Sequence, residues 1–210
     1  MFDILEPIAF LVGLITALKV FIRLVRPLLH FQHDLHKRYG GGWAVVTGGT
    51  DGIGLGYCEE LAKLGFNICI ISRSQEKLER VREDIRSLNP EIDVKIIKAD
   101  FGRSLEDGFF EPICRELDQI DVSVLVNNVG TFNHCNYVDL KEDELKHELT
   151  LNIIPISLLS RYMIPRMLQR NTRSGIINLS SSSVLFEFVG GAGYCSTKLF
   201  DDFLSKTLAD

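Results

Sequence analysis

Residues 43–64 place a glycine-rich turn between a short apolar run and a helical segment. Trp43–Thr47 predicts a first buried strand, and residues 57–64 have helical character with Gly65 as the stop. The turn between them reads Thr-Gly-Gly-Thr-Asp-Gly-Ile-Gly. Such a turn lets the backbone and the positive end of the new helix approach a pyrophosphate, although a tight turn without a ligand is the alternative. We expect the cofactor to be bound here by Gly48, Thr50, Asp51, Gly52, Ile53 and Gly54.

Strand and helix patterns alternate along the rest of the chain. Further strands are predicted at 67–72, 93–99, 122–127 and 175–179, with helices capped by Ser74 and at about 105–117. This order predicts an α/β fold of the Rossmann type, a right-handed doubly wound parallel sheet. Ligands then bind at the carboxyl ends of the strands.

Polar residues follow three of these strands. The second strand ends in Ser72-Arg73, with no carboxylate for the ribose hydroxyls, which favours NADP(H) over NAD; a plain surface arginine is the alternative. After the third strand, Asp100 is placed to accept a hydrogen bond from the adenine amino group. The fourth ends in Asn127, Asn128 and Gly130, which we expect to line the cofactor cleft.

A second group of polar residues follows the last predicted strand. Tyr194 and Lys198 lie four residues apart, on one face of a helix. An ammonium group favours a neighbouring phenolate, so Tyr194 would donate and accept protons near neutral pH. Ser181, thirteen residues earlier at a strand end, could bind the same substrate oxygen. A tyrosine-lysine pair alone is weak evidence, and a half-buried helix start is its plain explanation.

The N-terminus is apolar from Pro7 to Leu18 and continues so, with interruptions, to Val25. Residues 1–28 therefore predict a membrane-anchor helix, spanning or lying in the interface, and 29–42 a juxtamembrane linker. Acidic residues precede the apolar stretch and cations follow it, which favours a cytosolic domain over residues 43–210.

Composition excludes several classes of protein. A net charge of −5 disfavours nonspecific nucleic-acid binding, and 46% hydrophobic residues suit one globular domain. The five scattered cysteines predict reduced thiols in a reducing compartment, and no metal site is expected.

The chain resembles the short-chain dehydrogenase/reductase family over about residues 43–210. The shared motifs are the turn ending at Gly54, Asn127-Asn-x-Gly130, Asn152 on a helix, and Ser181 with Tyr194-x-x-x-Lys198. The N-terminal apolar segment and residues 71–74 look like the membrane-bound branch with 17β-hydroxysteroid dehydrogenases and very-long-chain 3-oxoacyl-CoA reductases. An inactive member of that neighbourhood lacks the catalytic tyrosine, so Tyr194 favours activity here.

The resemblance implies a mechanism. Hydride would pass from the nicotinamide to the substrate carbonyl carbon, while Tyr194 protonates the developing alkoxide and Ser181 binds the same oxygen. Lys198 would make the phenol more acidic and bind the nicotinamide ribose, so that Tyr194 and Lys198 also contact the cofactor. Asn152 would hold a water in the proton relay, helped by Pro155, whose ring loosens the helix.

The resemblance also implies a substrate and a setting. We expect NADPH-dependent reduction of a hydrophobic ketone, a very-long-chain 3-oxoacyl-CoA or a 17-ketosteroid, at the endoplasmic reticulum membrane, in a homodimer. Relatives continue past the tyrosine helix with two more strands, so this chain is expected to be C-terminally truncated with an open sheet edge at 175–179. A nucleotide-binding or interaction protein without turnover is therefore the alternative.

Overall fold

A computed structural model describes residues 2–25, 34–186 and 188–209 of the 210-residue chain. The chain divides into two compact units, residues 1–34 and 35–210. Residues 26–33, which are the end of the predicted anchor segment and the start of the predicted linker, lie outside the described residues.

The first unit contains helix α1, Phe2–Val25. Apolar side chains along it, including Phe10, Leu18 and Phe21, are exposed. Within the described part of the chain, none of the helices combines the length and apolar character that crossing a bilayer requires.

The second unit is built on a five-stranded sheet. The strands are β1 Trp43–Thr47, β2 Asn67–Ser72, β3 Val94–Lys98, β4 Val122–Asn127 and β5 Gly175–Asn178. All pairs are parallel, in the order β3-β2-β1-β4-β5, with β5 at one edge. The predicted Rossmann-type parallel sheet is confirmed.

Helices connect these strands. They are α2 Leu35–Arg38, α3 Gly52–Lys63, α4 Gln75–Leu88, α5 Phe110–Leu117, α6 Glu142–Leu168 and α7 Ala192–Leu208. Ser74 caps α4 as predicted, its Oγ accepting a hydrogen bond from the Lys77 N–H at 3.3 Å. The start predicted for α5 was about five residues early, because Gly108 adopts a positive φ of 77° and interrupts the segment.

The sheet is covered on both faces, which explains why its strands read as continuous apolar runs. On one face Val46 and Ile70 pack against Cys58 of α3 and Leu78 of α4. On the other face the apolar residues of β1, β2 and β4 pack against α5 and α6. These two layers fix the carboxyl ends of the strands, where the functional residues lie.

Candidate active site

The glycine-rich turn is held by side chains from the end of β4. The Thr47 Oγ1 accepts hydrogen bonds from the backbone N–H groups of Asn128 (2.9 Å) and Val129 (3.1 Å). The Asn128 Nδ2 donates to the carbonyl oxygens of Thr47 (2.9 Å) and Gly48 (3.3 Å). Asn128 therefore fixes the turn by direct bonds.

The start of α3 leaves no room for a side chain at Gly54. A Cβ there would lie 2.4 Å from both the Gly48 carbonyl oxygen and the Asn128 Nδ2. Gly52, by contrast, has a positive φ of 50°, and a Cβ there would meet none of the described residues within 4 Å. Asp51 caps the helix, its Oδ1 accepting from the Gly52 N–H at 2.9 Å. A bare backbone at a helix N-terminus fits a dinucleotide pyrophosphate.

A cavity of about 490 Å³ opens beside this turn. Its walls come from the ends of β1, β2, β3 and β4 and from α6. Of the residues predicted to bind cofactor, the walls contain Gly48, Thr50, Asp51, Ser72, Arg73, Asp100 and Gly130. They do not include Gly52, Ile53, Gly54, Asn127, Asn128, Tyr194 or Lys198.

The end of β2 supplies a polar corner of the cavity. The hydroxyls of Thr50 and Ser72 are hydrogen-bonded at 2.8 Å, and Arg73 lies beside them. Lys77 also lines this corner, and its Nζ is 3.2 Å from the Asp51 Oδ2. The hydrogen bond from Lys77 is the main cause that lowers the pKa of Asp51.

Sequence reasoning missed two cavity residues that carry charge or can titrate, Lys77 and His147. Lys77 could have been predicted from the sequence, because it lies in the first turn of α4 after the Ser74 cap and only four residues after Arg73. His147 comes from α6, remote in sequence from the other cofactor residues. Only packing brings its ring near Gly102, in the 3-10 turn Phe101–Arg103 that follows β3.

The two predicted asparagines at the end of β4 have different surroundings. Asn127 faces the interior: its Nδ2 donates to the Ser160 Oγ (3.1 Å) and the Asn178 Oδ1 (2.8 Å), tying β4 to α6 and β5. Its Oδ1 is buried and has no hydrogen-bond partner among the described residues.

Asp100 follows β3 and caps a short 3-10 turn, Phe101–Arg103. Its Oδ1 accepts a hydrogen bond from the Gly102 N–H at 3.1 Å.

Tyr194 and Lys198 lie in the first turns of α7. The Lys198 Nζ is 5.8 Å from the centre of the Tyr194 ring. It would lie 3.6 Å from a Cβ at Gly130, so the ammonium borders the cavity wall. Lys198 is 5% exposed and donates a 2.8 Å hydrogen bond to the Leu179 carbonyl oxygen.

Asn152 links the loop after β4 to α7. Its Oδ1 accepts from the Thr131 N–H (2.8 Å), and its Nδ2 donates to the Thr131 carbonyl (3.0 Å) and the Thr197 Oγ1 (3.0 Å). Both amide protons are therefore used within the protein. A relay water would instead bind the Leu151 carbonyl oxygen. That oxygen has no helical N–H donor, because Pro155, four residues later, lacks a backbone N–H.

Ser181 follows β5 and caps a 3-10 turn, Ser182–Val184, its Oγ accepting from the Ser183 N–H at 3.2 Å. This turn packs against α7. Across from it, the Phe132 ring lies 4.8 Å from the Tyr194 ring and 5.9 Å from the Phe188 ring. An aromatic surface thus adjoins the tyrosine.

A family model described as "short chain dehydrogenase" matches residues 42–210. The very-long-chain 3-oxoacyl-CoA reductase of Bos taurus is 38% identical over 172 residues, covering 80% of this chain and 54% of that protein. The human inactive hydroxysteroid dehydrogenase-like protein 1 is 38% identical over 200 residues, covering 92% of this chain and 59% of that protein. The chain thus spans somewhat more than half the length of these relatives.

Solved structures show the same fold. A metagenomic short-chain oxidoreductase in complex with NADP is 27% identical, with a TM-score of 0.73, covering 80% of this chain and 74% of that chain. A bulky-bulky ketone specific alcohol dehydrogenase from Comamonas testosteroni is 23% identical, with a TM-score of 0.72, covering 80% and 66%.

Proposed function

Since the chain belongs to the short-chain dehydrogenase/reductase family, in the branch with very-long-chain 3-oxoacyl-CoA reductases and hydroxysteroid dehydrogenase-like proteins, we propose that it is an NADPH-dependent reductase of a hydrophobic ketone. The substrate would be a very-long-chain 3-oxoacyl-CoA or a 17-ketosteroid. The observation that supports this proposal is the buried Lys198 ammonium, which is 5.8 Å from the centre of the Tyr194 ring and close to Gly130 of the cavity wall.

Each residue of the site has a role in this reaction. A bound nicotinamide dinucleotide would supply the hydride. Tyr194 gives a proton to the developing alkoxide, and Ser181 donates a hydrogen bond to the same oxygen. Lys198 stabilises the phenolate that remains, and Asn152 holds the loop carrying Gly130 against α7.

The polar corner at the end of β2 supports NADP(H) as the cofactor. Arg73 and Lys77 offer two cations beside the hydroxyls of Thr50 and Ser72, the combination that a 2′-phosphate binds. The NADP complex of the metagenomic relative supports the same choice. Asp100 serves the adenine amino group in this arrangement.

Cofactor choice is tested by titrating NADPH and NADH against Arg73→Ala. Loss of a charge-assisted contact of about 1.5–3 kcal/mol weakens NADPH binding by roughly 10- to 100-fold and leaves NADH nearly unchanged. Arg86→Ala is the matched control, because Arg86 lies at the far end of α4 and pairs with Glu83 at 3.5 Å. Equal effects on both cofactors would contradict the proposal.

Turnover is tested by following NADPH oxidation with a long-chain 3-oxoacyl-CoA and with a 17-ketosteroid. Tyr194→Phe removes the proton donor and should abolish turnover while leaving NADPH binding intact. Tyr137→Phe is the control, since that tyrosine is 57% exposed and lies in a separate 3-10 turn.

A second candidate function is nucleotide binding, or interaction with a partner, without turnover. The 38% identity to a relative named inactive favours it. NADPH binding in a protein that reduces no carbonyl compound would establish this function in place of the first.

We further propose that α1 attaches the protein to the endoplasmic reticulum membrane, with the second unit on the cytosolic side. The exposed apolar side chains of α1, such as Phe10 and Leu14, support attachment to a lipid surface. We also propose a homodimer formed through α6 and α7. The exposed Leu158, Leu199 and Phe203 on these helices support it, and sedimentation of the full chain tests it.

A further inference from the structure

Lys198 is part of a buried ion pair on α7. Its Nζ is 2.9 Å from the Asp201 Oδ2, and the side chains of Lys198 and Asp201 are 7% and 2% exposed. The ammonium also donates to the Leu179 carbonyl oxygen at 2.8 Å. Two of the three N–H groups of the Lys198 ammonium therefore donate within the protein, and the third can donate to another acceptor.

Asp201 is an unusual residue at this buried place. Its Oδ1 is inaccessible to solvent and has no hydrogen-bond partner among the described residues. Burial raises the pKa of Asp201 above its usual value, and the Lys198 ammonium opposes that shift. A buried carboxylate with one unpaired oxygen is costly, so its interaction with Lys198 is its main compensation.

The Asp201 carboxylate lies 2.9 Å from the same ammonium that is 5.8 Å from the centre of the Tyr194 ring. An ammonium favours the phenolate, whereas a carboxylate directly behind the ammonium cancels part of that field. Other titratable groups of the described residues lie near the start of α7. Glu148 of α6 faces Gly193 and accepts hydrogen bonds from the backbone and side-chain N–H groups of Asn133. The centre of the His134 ring is 5.7 Å from that of the Phe188 ring, with the two rings tilted by 47°.

We propose that Asp201 is a positioning residue that holds the Lys198 ammonium against the Leu179 carbonyl and offsets its charge at Tyr194. The Tyr194 hydroxyl beside this pair would then serve as the proton donor in ketone reduction. This inference rests on the proposed function and concerns its proton donor.

The test uses the full chain and does not require turnover. Ultraviolet difference titration follows tyrosine ionisation in the wild type and Asp201→Asn, each with its Tyr194→Phe counterpart, so that subtraction isolates one phenol. In Asp201→Asn we expect that phenol to ionise about one pH unit lower. The alkaline limb of ketone reduction should move by the same amount.

Two variants serve as controls. Asp202→Asn changes the neighbouring carboxylate, whose side chain is 29% exposed and pairs with Lys206 at 2.6 Å, and should leave the titration unchanged. Asp201→Glu keeps the negative charge, so in this variant the phenol should ionise at a pH close to that in the wild type.

The outcomes are distinct. The inference would be overturned if the Tyr194 phenol ionised at the same or a higher pH in Asp201→Asn. It would also be overturned if that variant lost the circular dichroism spectrum of the folded protein, because Asp201 would then serve folding alone. If the phenol ionised at a lower pH in Asp201→Asn but the wild type reduced no ketone, this role of Asp201 would be supported and the proposed reductase activity refuted.

Discussion

Replacement of Gly54 by alanine tests the geometry of the cofactor turn. The new Cβ would lie 2.4 Å from the Gly48 carbonyl oxygen, where ordinary contacts begin at 3.4 Å. The Asn128 Nδ2 lies at the same distance, and the Gly48 oxygen belongs to the backbone. The turn must therefore move by about 1 Å at Gly48, and the Asn128 side chain must leave its place against the turn.

The structure sets the size of the effect. Overpacking of this kind costs about 1–3 kcal/mol. Displacement of Asn128 gives up its bonds to the Thr47 and Gly48 carbonyls, at roughly 1 kcal/mol each. Together these effects should lower the free energy of unfolding of Gly54→Ala by about 3–5 kcal/mol, and its Tm by on the order of 10 °C. NADPH binding should weaken with it, because the same turn forms the pyrophosphate site.

Thermal unfolding and NADPH titration measure both effects, and Gly56→Ala supplies the control. Gly56 lies two residues further along α3, where a Cβ meets open space among the described residues. Alanine is favoured over glycine in a helix, so this variant should gain up to about 1 kcal/mol. If Gly54→Ala were as stable as Gly56→Ala and bound NADPH as tightly as the wild type, the inferred close packing would be refuted.

Three further predictions follow from other contacts. Asn152→Ala removes three hydrogen bonds at a buried position and should destabilise the protein by about 2–4 kcal/mol in denaturant titration; an effect below 1 kcal/mol would contradict this. Burial raises the pKa of the Cys58 and Cys69 thiols to about 12, so iodoacetamide at pH 8 should label them only after unfolding. The hydrogen bond from Arg166 is the main cause that lowers the pKa of Asp118, so Asp118→Asn should cost at most about 1 kcal/mol at pH 7. That difference should begin to shrink as the pH falls below about 4, the usual pKa of the carboxyl in the unfolded chain, and should be lost as the pH falls through the lower pKa of Asp118 in the folded protein.

Tertiary contacts changed the interpretation of several motif residues. Asn127 and Asn128 were both expected to line the cofactor cleft, yet Asn127 ties the sheet to α6 and β5 while Asn128 holds the glycine turn. Adjacent residues at a strand end point to opposite faces, so the motif alone could not give both the same surroundings. Asn152, similarly, uses both amide protons within the protein.

The sequence by itself determined the parallel sheet, the glycine turn and the helical spacing of Tyr194 and Lys198. Each of these follows from local periodicity or from a steric requirement within a few residues. The tertiary structure alone decided that His147 faces the cavity and that Asp201 is buried against Lys198 with one oxygen unpaired. His147 is remote in sequence from the predicted cofactor residues that line the cavity, so only the packing of α6 brings it there. Lys198 and Asp201 are three residues apart on one helix, which allows their pairing, but their burial depends on which elements pack over that face.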